Sequence, residues 1–482
     1  MAKPKTAALL LCAALLSAAL PVGAQTASYV VDDGNQVTLP QCYAVTAVID
    51  RAEDGSFLEG LRNIRIDKND HLFVADAGND RVLEYDEDHV FLRSYTAGGT
   101  LSGPAGMYHD VDTGELYIAD TGNERVVIVD EDDRILREYH RPDSAFLDDA
   151  MRFDPSNVAV GVQGYLYILK GQYFMQLDRE GEFRGFMGST RVGTSFVRWL
   201  IRKFASEKQK QTLTTEQPSP YLNFTTDDDG MLWAVASTST AQIRRINMAG
   251  DNLYPEAFYG ERVQDVSGKY SDPNFISIAV SGDKIVSVLE EKSCRIYQYS
   301  QSGTMLNVFG GKGEVKGFFQ DPISVAMDSS GAVYVADRAL GNIQVFSRTA
   351  FAAAVYRAQA AYDEGSYEEA YGLYEDARAL DPNYAVVNKG IAACLYKLGR
   401  TEDAAAAYRA ADDRASYGTL QTELRAERIK RHFGLVCLMV VAVAVAAVML
   451  VRQLRQRADR AVARYYHLDD SGRDRRPKRP RG

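Results

Sequence analysis

Three acidic residues recur at matching points of the chain, Asp76, Asp120 and Asp337, and the first two have the same company, Asn79 with Arg81 and Asn123 with Arg125. Carboxylates set beside guanidinium groups are raw material for acid–base catalysis and for cation binding, so they are the first residues to test for chemistry. Their neighbours argue for another role. Each closes an Ala-Asp pair, and Gly and Asn, the residues that reverse a hairpin, follow. Asp76, Asn79, Arg81, Asp120, Asn123, Arg125 and Asp337 are therefore expected to build turns rather than an active site. The acid-rich stretches 86–88, 130–133 and 227–229 have the same explanation, since none matches EF-hand ligand spacing.

Metal or histidine chemistry needs several side chains to converge, and the histidines are few. Before the final tail there are His71, His89, His109, His140 and His432, of which His109 alone falls in a segment expected to line the centre of the fold. GxSxG, HExxH and phosphate-loop patterns are absent. No catalytic, cofactor-binding or metal residue is assigned, and no cofactor is expected. The cysteines, Cys12, Cys42, Cys294, Cys394 and Cys437, form no CxxC pair and no disulfide framework; a Cys42–Cys294 bridge is the one pairing left open.

The elements that must hold these residues are repeated strands. Segments 64–85, 108–129 and 325–346 share one template: strand, Asp/Gly turn, strand ending in Ala-Asp, turn, strand. Weaker copies lie at 158–177, 224–246 and 278–299. A further short strand is expected after each of the first five, giving four-stranded antiparallel blades. The last copy runs straight into helix, so its blade lacks an outer strand, and the β-branched segment 42–50 is placed there to close the ring. The pattern around 72–82 and 114–126, Leu/Val-Tyr-Val/Ile-Ala-Asp followed by Gly-Asn and Arg-Val, resembles the NHL repeat. Six copies of such a unit imply an all-β six-bladed propeller over 42–348. One stretch, 188–221, breaks the repeat with a helix-like core in which Phe196, Trp199, Leu200 and Phe204 form a stripe flanked by Arg198, Arg202 and Lys203. It reads either as a brace on the rim or as a lid or docking helix. Phe196, Arg198, Trp199, Leu200, Arg202 and Lys203 are the candidate binding residues.

Beyond 350 the period becomes helical. Gly365, Tyr367, Ala370, Tyr374 and Ala377 recur 34 residues later as Gly399, Thr401, Ala404, Tyr408 and Ala411, which resembles two TPR units over 351–418. Small and aromatic residues at those positions let paired helices approach and fill the gap between them. A capping helix is expected over 419–432. Residues 433–451 hold no charge and no proline, enough at 1.5 Å per residue to cross a bilayer core of about 30 Å. The tail from 452 to 482 carries 11 Lys and Arg against four Asp and Glu, which by the positive-inside rule places it in the cytoplasm. Residues 1–24, with Lys3 and Lys5 before an apolar run and Val22-Gly23-Ala24 at its end, have the form of a signal peptide. Leu11 before Cys12 speaks against a lipid anchor.

The order of these parts resembles bacterial membrane-anchored NHL-repeat proteins with C-terminal TPR-like repeats. That resemblance implies a single-pass plasma-membrane protein with its N-terminal domains outside the cell, sometimes encoded beside carbohydrate-type ABC transporters, and it brings no catalytic residues. Without the tail the chain has 44 Lys and Arg against 61 Asp and Glu, a surplus of negative charge that excludes a nucleic-acid partner. Three function classes remain. The first is a binding scaffold with membrane, envelope-protein and carbohydrate or peptide partners. The second is a propeller hydrolase or lyase of the lactonase or amidating-lyase kind. The third is a sensor that couples an outside ligand to the tail.

Overall fold

The computed structural model describes residues 29–32, 35–38, 41–52, 54–143, 152–161, 164–170, 173–187, 221–227, 229–264 and 268–465. The expected signal segment, the candidate binding residues between Phe196 and Lys203, and the tail beyond 465 lie outside them. The chain forms two compact units, Met1–Cys394 and Leu395–Gly482.

The first unit contains a six-bladed β-propeller. Blade 1 runs outward through Leu61–Ile66, Leu72–Asp76, Arg81–Tyr85 and Phe91–Tyr95; blade 2 through Pro104–Asp110, Glu115–Asp120, Arg125–Val129 and Ile135–Tyr139. Blade 3 uses Asn157–Val160, Leu166–Lys170, Tyr173–Leu177 and Phe183–Met187, and blade 5 uses Phe275–Val280, Val286–Glu290, Arg295–Tyr299 and Met305–Gly310. In blade 6, Pro322–Met327, Val333–Asp337 and Asn342–Arg348 take Tyr43–Ile49 as their outer strand, with Val345 opposite Ala47. A strand from before the first blade thus completes the last one. Two short hairpins form sheets of their own outside the blades, Tyr29–Asp32 with Asn35–Thr38 and Val263–Gln264 with Tyr270–Ser271.

Blade 4 departs from the expected four strands. It has Tyr221–Thr226, Leu232–Ala236 and Ile243–Ile246, and its outer place is filled by irregular chain held through Leu253 N to Arg245 O (2.7 Å) and Ala241 N to Ala257 O (2.8 Å). Pro255 has no N–H for a ladder, and Tyr254 and Tyr259 turn inward instead, Tyr254 packing edge-on against Trp233 at 5.2 Å.

Both faces of each blade are covered by a neighbour, which is why the middle strands are continuous apolar runs rather than alternating ones. Leu72–Asp76 and Arg125–Val129 are buried throughout. The core is divided into clusters that each bridge adjacent blades: Leu61, Val74 and Leu83 meet Tyr334, Ala336 and Val345 between blades 1 and 6, and Val82 and Tyr95 meet Met107 and Val127 between blades 1 and 2. Removing one blade would strip two such interfaces.

Helices Ala350–Asp363 and Tyr367–Leu380 follow directly. Thr349 caps the first, accepting from Ala352 N at 3.3 Å, and its own N–H bonds Cys42 O at 2.9 Å, so the closing strand and the helix start are fixed together. Tyr374 packs inside the hairpin and donates to Gln359 Oε1 at 2.7 Å. Two other tyrosines face the propeller. Tyr356 donates to Gln298 Oε1 at 2.5 Å, and Tyr384 donates to the Leu306 carbonyl. Cys42 and Cys294 are free and buried, so the bridge left open is not formed. Cys294 sits in a left-handed turn of blade 5 (φ 56°) against Gln320 O, whereas Cys42 lies beside Tyr384; burial pushes the thiols up to about 11 and about 12.

The second unit contains helix Thr401–Ala410 and one helix from Arg414 to Tyr465. The expected capping segment 419–432, the apolar stretch 433–451 and the first part of the expected tail form one continuous helix, the backbone staying helical through both charged flanks. No proline interrupts 414–465, and the stretch after Val451 is rich in Arg, Gln, Leu and Ala, all good helix formers. Its apolar segment is long and hydrophobic enough to cross a membrane, and none of it is covered by protein.

Candidate functional site

The recurrent aspartates are structural latches. Asp76 is fully buried and accepts from Glu59 N (2.7 Å), Asn79 Nδ2 (2.9 Å) and Arg81 Nε (2.7 Å). Asp120 repeats this with Ser102 N (2.8 Å), Asn123 Nδ2 (2.8 Å) and Arg125 Nε (2.7 Å). Asp337 holds backbone only, accepting from Gln320 N (2.6 Å), Asp321 N, Ala339 N and Leu340 N (3.0 Å). In each case the carboxylate ends the second strand and grips the chain that enters the same blade's inner strand, satisfying donors that the ladder leaves over. Glu290 takes this place in blade 5, accepting from Asn274 N at 3.0 Å and Ser293 N at 2.6 Å. The weak copy there hid it, because a longer side chain reaches the same donors from the same ladder position, Glu290 opposite Phe275 as Asp76 is opposite Leu61.

The centre of the ring is pinched by a polar belt at the start of the inner strands. Ser324 Oγ donates to Asn63 Oδ1 (2.7 Å) and accepts from Ile64 N; Asn157 Nδ2 donates to Asn223 Oδ1 (2.7 Å); Asn223 Nδ2 donates to Ser277 Oγ (3.1 Å); and Val325 N also donates to Ser277 Oγ (3.1 Å). Blade 2 contributes Gly106, where a Cβ would stand 2.6 Å from Asn157 Oδ1 and push the belt apart. Asn and Ser have the donors and acceptors to bridge adjacent inner strands, which a ring of apolar residues could not do.

The belt divides the channel into two recesses. A smaller one of about 350 Å³ touches Leu61, Ala105, Leu222 and Ile323, on the face from which the connection between Met187 and Tyr221 leaves. The larger, about 820 Å³, opens on the opposite face, where the turns between first and second strands lie. Its lining is net acidic, with Asp70, Asp110, Asp112, Asp227 and Asp328 outnumbering the cations Lys68 and Arg179 around Arg65. Within it His109 Nδ1 is 2.7 Å from Asp67 Oδ2, and Asp67 Oδ1 accepts from Asn69 N and His71 N. The imidazole leans on Phe73, ring centres 4.8 Å apart. An aspartate that fixes one nitrogen of a histidine is an arrangement that can orient a proton acceptor. The rim hydroxyls are committed to turns, Ser281 Oγ to Asp283 and Ser329 Oγ to Asp70. His71 pairs with Glu84 and His89 with the Tyr334 hydroxyl, so these two serve blade packing. Among the described residues no group of three or more His, Cys, Asp or Glu side chains is placed to hold a metal ion. Sequence reasoning singled out neither the belt nor Arg65, which crosses the larger recess to reach Thr226.

Residues 361–424 match the tetratricopeptide repeat. No curated protein matches the chain. Among solved structures, a streptogramin B lyase is 13% identical over 69% of this chain and 95% of its own, with a TM-score of 0.39. A virginiamycin B lyase from Staphylococcus aureus is 13% identical over 67% and 96%, TM-score 0.39, and a Myceliophteria thermophila Swd1 β-propeller domain is 12% identical over 64% and 100%, TM-score 0.42. At these identities and TM-scores nothing about activity passes to this chain, which joins a six-bladed propeller to TPR-type helices, parts that serve protein interaction.

Proposed function

We propose that the chain is a membrane-anchored scaffold of the NHL type, whose propeller and TPR surfaces capture envelope partners outside the cell. The observation that carries this reading is the joining of a propeller, in which every recurrent carboxylate is spent on a turn, to a helical region that matches the tetratricopeptide repeat. Anchoring is supported by the apolar stretch of the Arg414–Tyr465 helix, whose Leu438 and Val443 are more than 60% exposed and need lipid around them. The 11-to-four excess of basic over acidic residues after Val451 supports a cytoplasmic tail. Phe196, Arg198, Trp199, Leu200, Arg202 and Lys203 are the proposed partner contacts, because their apolar stripe and basic flank occur once in the chain and fall outside the repeated strand template.

The test is co-purification from membranes of the full chain against two double variants, Trp199→Ser with Leu200→Ser and Arg202→Glu with Lys203→Glu. Loss of specific partners with unchanged folding supports the reading; equal recovery from both variants refutes the assignment of these residues. The Asp67–His109 pair favours a second reading, a propeller lyase or hydrolase. There His109→Gln should abolish turnover of a lactone or peptide-amide substrate, and no turnover by the parent removes this alternative.

A further inference from the structure

We propose that the larger recess of the propeller channel binds a small molecule through a carboxylate, with Arg65 as its receptor. Arg65 leaves the inner strand of blade 1 between the belt residue Asn63 and the rim residue Asp67, and its Nη2 donates to Thr226 Oγ1 of the opposite blade at 3.1 Å. Its guanidinium carbon lies 4.9 Å from the centre of the Tyr108 ring. That hydrogen bond uses one of five N–H donors. Among the described residues no carboxylate pairs with it, whereas four arginines with side chains only 10–17% exposed each have one: Arg81 has Asp76, Arg125 has Asp120, Arg245 has Asp227 and Arg348 has Asp283.

A guanidinium held inside a protein without an anion is unfavourable, and the fold has placed carboxylates beside comparable groups elsewhere. Burial pulls the Arg65 guanidinium down to about 10, with the Tyr108 hydroxyl acting in the opposite sense, and it stays charged at neutral pH. A planar fork with most of its donors unbonded among the described residues, in a recess of about 820 Å³, fits a two-oxygen anion on a small ligand. The net acidic lining decides between anions. Asp110, Asp112 and Asp328 would repel a dianion such as phosphate, while a single carboxylate on a body that carries hydroxyl or ammonium donors would meet Arg65 inside and acceptors at the mouth. A sugar acid and a peptide C-terminus share that chemistry. The site is independent of the scaffold reading, since partner capture can fail with carboxylate binding intact, and the reverse.

Titration calorimetry on the detergent-solubilised full chain tests it with two matched pairs, D-glucuronate against D-glucuronamide and N-acetyl-diglycine against its amide. At least one acid is expected to bind with Kd below about 10 mM, and its amide roughly 10- to 100-fold more weakly. The pair that responds identifies the source. Arg65→Met should reduce acid binding to the level of the amide and should melt at or above the parent, because it removes an uncompensated cation. Comparison of acid with amide on the parent chain decides the matter even if the variant does not fold. Binding of neither acid, equal binding of acid and amide, or undiminished acid binding by a folded Arg65→Met chain each overturns the proposal.

Discussion

Asp120→Asn separates a latch from a catalytic carboxylate, and its cost follows from the geometry. The carboxylate is fully buried and serves three donors: Ser102 N, Asn123 Nδ2 and Arg125 Nε. An amide of the same shape keeps one acceptor and points an NH₂ group at a donor, leaving Arg125 without one of its two charged partners. Breaking one side of a buried ion pair costs about 3–5 kcal/mol. Arg125 keeps Glu138 Oε1 at 2.6 Å and Thr100, which lowers the expected loss to about 2–4 kcal/mol. Asp337 has no arginine among its donors, so Asp337→Asn should cost less, about 1–2 kcal/mol. Urea denaturation of the full chain in detergent, in a Trp199→Phe background, reads the difference through Trp233, which is buried in blade 4. If Asp120→Asn stays within about 0.5 kcal/mol of its parent, or Asp337→Asn loses as much, the latch account is wrong.

Tyr43 anchors the closing strand by stacking on Phe309 at 4.8 Å and by a hydroxyl shared with Gln298 Nε2 (3.0 Å) and Gly331 O (3.2 Å). Tyr43→Phe should cost about 1–3 kcal/mol and Tyr43→Ala about 3–5 kcal/mol in the same assay; equal losses would show that the hydroxyl contributes nothing. A pH series tests the Asp283–Arg348 pair. Burial alone would raise the Asp283 carboxyl, but the hydrogen bonds and charge of Arg348 outweigh it and hold it below its ordinary value. A depressed carboxyl stabilises above its unfolded value near 4 and loses that contribution as pH falls through the folded value. The stability gap between the parent and Asp283→Asn should therefore be flat from about pH 8 to 5 and shrink below about 4, and a gap that widens on acidification contradicts the pairing. Gly390, in the helix Ala385–Lys397, faces Tyr374 of the helix Tyr367–Leu380, and Gly390→Ala would place a Cβ 2.4 Å from that ring, which is buried and bonded to Gln359; melting of the helical signal should show a loss of about 1–3 kcal/mol, and an unchanged melt would mean the two helices can separate freely.

What the sequence by itself determined is what hairpins determine locally. Strand, Ala-Asp, Gly-Asn and Arg fall within about twenty residues of one another, so the number of blades, the turn duty of Asp76 and Asp120 and the break into helix after 348 were all legible. The missing outer strand after Phe346 was legible too, as an edge in need of a partner, and Tyr43–Ile49 is found paired there. The weak copies were not legible in detail. Blade 4 lost its outer strand to the inward turn of Tyr254 and Tyr259, and Glu290 replaced aspartate in blade 5, because ladder position rather than residue name decides which carboxylate reaches the donors. Likewise Tyr356 and Tyr384 have the look of repeat-packing residues, yet both bond the propeller, a choice made by where the helices dock. The channel belongs wholly to tertiary structure. Asp67 meets His109 across 42 residues and Arg65 meets Thr226 across 161, pairings that no local pattern encodes. Ring closure brings opposite blades within hydrogen-bonding distance of one another, and only then does a guanidinium that looks ordinary in the chain become a charge with a hydroxyl but, among the described residues, no carboxylate beside it.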